Sequence, residues 1–146
     1  MTLQRVKTMS ILAALLLSGL TVAETVVIVH PGNDNELTAD YIAKIFLAKT
    51  KKFPNDLSAK PIDQLKGSEV REAFLSGVVQ KNEAHYRSYW SRMMFTGKAM
   101  PPKAVDNDEA VKQMVASTPE AIGYIRRESV DESVRIVYSL PNGTEP

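Results

Sequence analysis

Cysteine is absent from this chain of 146 residues, and tryptophan occurs only once. Without thiols the protein has no disulfide framework and no lipid anchor attached through cysteine, so packing and hydrogen bonds must stabilise it. A strong excess of one charge is also missing, since 18 Lys and Arg residues stand against 17 Asp and Glu residues. This balance argues against nucleic acid as a partner.

A hydrophobic run long enough to cross a bilayer is missing as well. The longest run, residues 9–20, is shorter than the roughly 20 residues that a membrane span requires. Arg5 and Lys7 precede this run and the small residues Thr21-Val22-Ala23 follow it, a pattern typical of a signal peptide cleaved after Ala23. We therefore expect export of a soluble mature protein, with a retained membrane anchor as the alternative.

The expected cleavage divides the chain into three parts. Residues 1–23 are the signal peptide, residues 24–140 form one domain with one hydrophobic core, and residues 141–146 form a flexible polar tail. The middle part has a length that suits a single domain.

Signals for catalysis are weak. The two histidines, His30 and His85, have no acidic partner at a spacing that indicates a catalytic pair. The acidic segment Asp106-Asn107-Asp108-Glu109 lacks the glycine and the spacing of a calcium loop. We therefore predict no enzyme activity, no cofactor and no metal site.

Hydrophobic periodicity predicts strands that alternate with helices. The β-branched run 25–30 indicates a strand covered on both faces, as parallel strands usually are. Further strands are expected around Ile62 and at 122–125 and 134–138, and helices are expected to begin at the N-caps Thr38, Ser68, Asn82 and either Asp106 or Asn107. The helix from Ser68 should reach about Gln80, and Pro101-Pro102 should force an extended link. This order is typical of an α/β fold, a single three-layer sandwich lobe in which a mixed β-sheet is flanked by helices.

Residues 62–71 contain the most informative local pattern. A short strand turns through Gly67 into a helix capped by Ser68, and Lys66 and Arg71 stand beside the positive end of the helix dipole. Such a turn favours phosphate, sulfate or a carboxylate, and ligands of α/β sheets bind beyond the carboxyl ends of the strands. The alternative is an ordinary helix start in which Arg71 forms a salt bridge with Glu72 or another nearby acid.

Several segments in register resemble one family. Leu37-Thr38, Ile42-Ala43-Lys44-Ile45-Phe46-Leu47, Gly67-Ser68, Arg71, Trp90 and Thr118-Pro119-Glu120-Ala121-Ile122-Gly123-Tyr124-Ile125 together resemble the phosphate-binding proteins of periplasmic ABC transporters. The resemblance implies a periplasmic-binding-protein-like lobe in the periplasm, a small inorganic oxyanion such as phosphate as ligand, and an ABC permease as partner. It places the ligand at Lys66, Gly67, Ser68 and Arg71, with Arg71 as the main cationic ligand. It also puts Thr38 and the loop 31–35 near the same end of the sheet, where Thr38, Asn33 or Asn35 would add ligands.

Two departures from the family pattern qualify this expectation. The family has two lobes, whereas this chain is long enough for one, so self-association or a membrane partner would have to close the site. The family segment Asp-Gly-Ser-Gly-Thr-Arg is Lys66-Gly67-Ser68-Glu69-Val70-Arg71 here, so the acid that accepts a hydrogen bond from protonated phosphate is missing. Two functions follow: an oxyanion-binding solute receptor for ABC-type uptake, or a periplasmic interaction or sensor subunit that keeps the lobe without transport.

Overall fold

A computed structural model describes residues 24–141, so the predictions for the signal peptide and for residues 142–146 lie outside the described residues. Its strands are β1 (Thr25–Val29), β2 (Lys60–Gln64), β3 (Lys103–Val105), β4 (Ala121–Arg126) and β5 (Arg135–Ser139). Its α-helices are α1 (Ala39–Phe46), α2 (Glu69–Phe74), α3 (Glu83–Phe95) and α4 (Asp108–Ser117). A π-helical segment, Leu75–Val79, continues α2, and a 3-10 turn, Arg127–Ser129, follows β4.

The strands form one mixed sheet in the order β3-β2-β4-β1-β5. β2 runs parallel to β3 and β4, whereas β1 runs antiparallel to β4 and β5. The predicted α/β fold with a mixed sheet is confirmed. β1 is buried along its whole length, as expected, but both of its neighbours are antiparallel rather than parallel.

Successive side chains of a strand point to opposite faces of the sheet, and those of β1 are apolar and buried on both faces, where helices cover them. On one face, Val27 and Val29 join the hydrophobic cluster that contains Phe46 of α1 and Phe74 of α2. On the other face, Val26 and Ile28 pack in a second cluster with Val111 and Val115 of α4. The result is three layers, and within residues 24–141 no helix is both long and apolar enough to cross a membrane.

The predicted helix starts are confirmed by their side-chain hydrogen bonds. Thr38, Ser68, Asn82 and Asn107 each accept a hydrogen bond from the backbone N–H three residues later. Asn107, rather than Asp106, is therefore the cap of α4. Each such cap contributes about 1 kcal/mol to its helix.

Two elements differ from the sequence prediction. The expected extended link ends in a strand, since Lys103–Val105 pairs with β2 at the sheet edge. Three residues are too few for a recognisable alternation of polar and apolar side chains. The helix predicted from Ser68 to Gln80 is α-helical only to Phe74, and a left-handed Gln80 with φ 58° ends the π-helical segment.

Candidate functional site

A polar cleft of about 390 Å³ lies where the three parallel strands end. Gln64 closes β2, Asp106 follows β3 and Arg126 closes β4, and all three line the cleft. Ser68 and Asn107, the caps of α2 and α4, also line it. The cleft therefore occupies the edge of the sheet at which α/β proteins bind ligands.

The Gly67-Ser68 turn brings the start of α2 to this cleft. Gly67 has φ +100°, a left-handed conformation that side chains with a Cβ atom rarely adopt. Ser68 Oγ accepts a hydrogen bond from the Arg71 backbone N–H at 3.1 Å, which leaves its own O–H group as a donor. Ser68 is therefore positioned both to cap the helix and to donate to a ligand oxygen.

Arg126 is the only basic residue among the described residues that line the cleft. Its backbone N–H donates to Asp108 Oδ2 at 3.0 Å, which fixes the strand end against α4. Its guanidinium is 4.0 Å from the carboxylate of Glu69, whose side chain is 87% exposed, so this ion pair is weak. The Arg126 guanidinium is consequently available to a bound anion.

Acidic residues share the cleft and oppose an anion. Asp108 is already satisfied internally, because Oδ1 accepts from Gln64 Nε2 at 2.8 Å and Oδ2 accepts from Ser129 Oγ at 2.9 Å as well as from Arg126. Asp106 and Glu109 are exposed on the rim. A ligand anion would therefore meet one arginine and one hydroxyl group in a partly negative environment.

Arg71, predicted as the main cationic ligand, is buried and paired inside the protein. Its Nε and Nη2 atoms donate to the two carboxylate oxygens of Glu83, each at 2.9 Å. Its Nη1 atom donates to the Gln64 carbonyl at 2.7 Å and lies 3.1 Å from Asp63 Oδ1. The salt bridge considered as the alternative is thus present, with Glu83 and Asp63 rather than Glu72. The pKa of Glu83 is lowered by its hydrogen bond to Arg71.

Asp63 is the centre of a buried polar network behind the cleft. Its carboxylate accepts hydrogen bonds from the hydroxyl groups of Tyr86 and Tyr124, in addition to its contact with Arg71. Burial, followed by the negative charge of Asp63, raises the pKa of both tyrosines. Because both stay protonated, they remain donors to Asp63, and the network holds β2, β4 and α3 together.

The remaining predicted ligands do not line the cleft. Lys66 is exposed in the turn before Ser68, and its charge contributes to lowering the pKa of Glu83. Arg135 donates to the carbonyl groups of Asn33 and Asn35 at 2.8 and 2.7 Å, beside the end of β1. Because β1 is antiparallel to β4, this loop lies at the opposite edge of the sheet, so its expected position near the turn is wrong.

Thr38 follows that loop and does not line the cleft. Its hydroxyl oxygen accepts the Tyr41 backbone N–H at 3.2 Å, which is the bond expected of a helix cap. Of the predicted ligands, the structure brings Ser68 alone into contact with the cleft, with Lys66 and Gly67 forming the adjoining turn.

Sequence reasoning missed Arg126, Asp63 and Glu83. Arg126 could have been predicted from its position, because it is the last residue of a strand and ligands of such sheets bind at strand ends. The pairing of Arg71 with Glu83 depends on how α3 packs against α2, which no local spacing reveals.

The fold is similar to that of part of several solved substrate-binding proteins. The structure is similar to a phosphate ABC transporter substrate-binding protein with bound phosphate from Clostridium perfringens, with a TM-score of 0.63 and 25% identity over 78% of this chain and 44% of that chain. It is also similar to an ABC-type phosphate transport receptor from Vibrio cholerae, with a TM-score of 0.61 and 18% identity over 78% and 45% of the two chains.

A third similar structure is PstS from Borrelia burgdorferi, with a TM-score of 0.58 and 17% identity over 84% of this chain and 49% of that one. No protein-family model and no curated protein matches the sequence. The chain spans less than half the length of these solved structures. The resemblance to phosphate-type ABC substrate-binding proteins is thus confirmed in the fold, over part of the length of those chains.

Proposed function

We propose that the protein is an exported solute-binding lobe that holds a small inorganic oxyanion, of the phosphate type, at the polar cleft. The observation that supports this proposal is that Ser68 and Arg126 line the same cleft at the ends of the parallel strands. Arg126 supplies the charge and two parallel N–H donors, and Ser68 supplies a neutral donor. Binding serves ABC-type uptake, with a permease as the membrane partner, and no chemical step is required.

The bound anion exchanges with solvent readily. The cleft is open, and its rim carries Asp106 and Glu109, so charge interactions within it are screened by water and partly opposed. Lys66, exposed in the adjoining turn, adds one positive charge beside the cleft. Closure by a second copy of the lobe or by a membrane protein would strengthen each of these interactions.

The alternative function is a periplasmic interaction or sensor subunit that keeps the lobe without transport. One observation favours it: Arg71, which the family resemblance places on the ligand, is committed to Glu83 and Asp63. Such a subunit would show the same thermal stability whether or not an oxyanion is added. A neighbouring permease and ATPase gene would favour uptake, and a neighbouring sensor-kinase gene would favour the sensor.

Thermal melting of the purified protein in phosphate-free buffer tests the binding proposal. Addition of phosphate, sulfate or acetate at about 100 times the dissociation constant should raise the free energy of unfolding by about 2.7 kcal/mol. Arg126→Gln should abolish the shift, whereas Arg92→Gln, the same charge change at an exposed position of α3, should retain it. No shift with any anion, or equal shifts in the two variants, would contradict the proposal.

Export is tested separately, by N-terminal sequencing of protein purified from the periplasmic fraction. Cleavage after Ala23 leaves Glu24 as the first residue. An intact Met1 on the periplasmic protein would show that residues 1–23 are retained.

A further inference from the structure

A second concave site lies at the other edge of the sheet, where β2 begins. This groove has a volume of about 510 Å³, and its walls come from the end of α1, from α3 and from residues 99–102 before β3. Most of its lining side chains are apolar, among them Phe46, Trp90 and Met100. Its volume is within the range of about 300–1,000 Å³ that small-molecule sites occupy.

The charges at the groove are all of one sign. Lys51 and Lys60 line it, and none of the described residues that line it is acidic. Within residues 24–141 neither lysine is within salt-bridge distance of a carboxylate, whereas neighbouring Lys52 pairs with Asp56 at 3.6 Å. The two ammonium groups are thus free to interact with a negative ligand.

The apolar lining contains both buried and exposed side chains. Phe46 and Trp90 are 0% and 4% exposed, whereas Met100 is 74% exposed and the adjoining Pro101 is also exposed. Covering such a surface removes apolar area from water and is favourable by about 25 cal/mol for each Å². The groove therefore combines apolar area with unpaired positive charge.

We propose that this groove is a second binding site, for an amphipathic organic anion in which a carboxylate is joined to an apolar tail. The tail packs in the groove against Met100 and Pro101, whose side chains are exposed, and the carboxylate is held by Lys51 and Lys60. An inorganic oxyanion has no apolar surface to bury and gains little there. The site is separate from the polar cleft and does not depend on the proposed oxyanion binding.

Trp90 provides a direct measurement because it is the only tryptophan in the chain and it lines the groove. Titration of the purified protein with octanoate, below its micelle concentration, should give a saturable change in Trp90 fluorescence. Octanol has the same tail without the charge and should bind at least about fivefold more weakly, because one solvated ion pair is worth roughly that factor. Inorganic phosphate should not displace octanoate.

A matched pair of charge-reversal variants completes the test. Lys51→Glu/Lys60→Glu should weaken octanoate binding by at least about tenfold, since each reversal replaces an attraction by a repulsion. Lys49→Glu/Lys98→Glu makes the same change in net charge at exposed lysines that do not line the groove, and it should bind as the wild type does. All four positions are exposed, so both proteins should fold, which circular dichroism checks. No saturable signal, equal binding of octanol, or equal binding by the two variants would overturn the proposal.

Discussion

Arg71 and Glu83 form a bidentate ion pair in which two guanidinium nitrogen atoms each lie 2.9 Å from a carboxylate oxygen. A carboxylate of the protein thus occupies the edge of the guanidinium that an oxyanion ligand would use. The side chain of Arg71 is 10% exposed and that of Glu83 is 25% exposed, so solvent reaches the pair from the side of Glu83. The pair joins α2 to α3 beside the cleft and limits the part that Arg71 takes in binding.

Replacing Glu83 should destabilise the protein measurably. In Glu83→Gln the buried guanidinium loses one of its two charged partners and one of the two carboxylate oxygens that it contacts on Glu83, which we expect to lower the free energy of unfolding by about 1–3 kcal/mol. Glu72→Gln removes a carboxylate from an exposed position of α2 and should change stability by no more than about 0.5 kcal/mol. Urea unfolding followed by circular dichroism measures the free energy of unfolding of both variants. Equal losses in Glu83→Gln and Glu72→Gln would mean that the ion pair of Arg71 with Glu83 does not stabilise the protein.

Glu83→Gln should also change how strongly anions stabilise the protein. With the Glu83 carboxylate neutralised, phosphate or sulfate can approach Arg71, so anions should stabilise Glu83→Gln more than they stabilise the wild type. Thermal melting at increasing phosphate concentration, at constant ionic strength, measures the difference. If phosphate stabilises the two proteins equally, then Glu83 does not compete with ligands for Arg71.

The sequence predicted the helix starts and most strands because these depend on local chemistry. Caps such as Ser68 and Asn107 were readable from side chains that bond to nearby backbone N–H groups. The direction of β1 was not readable, because a fully buried strand has the same composition in parallel and antiparallel surroundings. That direction decides which loops meet at the cleft, so the error about Asn33 and Asn35 followed from it.

The candidate site was predicted only in part, for a related reason. The turn at Gly67 and Ser68 is a local feature and was placed correctly at the strand ends. The partners of Arg71 are separated from it by 8 and 12 residues in the chain and meet it through tertiary packing. From the sequence, the charge of Arg71 suggested that it would bind an anion. Only its burial and its contacts with Asp63 and Glu83 show that it differs in this respect from Arg126, which lines the cleft.

Stability should fall at acidic pH partly through Glu83. The pKa of Glu83 in the folded protein is lowered from 4.5 by the hydrogen bond with Arg71. The stabilisation of the folded state by the Glu83 carboxylate is therefore complete above about pH 4.5, and it is lost as the pH falls through the lowered pKa. The loss of stability between pH 5 and pH 3 should therefore be smaller in Glu83→Gln than in the wild type. Urea unfolding at several pH values measures how the free energy of unfolding of each protein changes with pH. An equal loss in the two proteins would contradict the assignment to Glu83.

Close packing at Gly123 should make this position intolerant of a side chain. A Cβ atom added to Gly123 would clash with Val111 Cγ1 and would lie 3.5 Å from Val115 Cγ2, both on α4. Because β-branched valines have few alternative rotamers, α4 would have to move away from β4, and we expect Gly123→Ala to cost about 1–3 kcal/mol. Gly32→Ala is the control, since its nearest contact is the partly exposed side chain of His30 at 3.2 Å rather than a packed helix. Urea unfolding compares the two variants, and an equal small loss in the free energy of unfolding would show that α4 moves without strain.

Because Asn107 and Asp108 at the start of α4 line the cleft, a shift of α4 in Gly123→Ala should also weaken the stabilisation of the protein by phosphate.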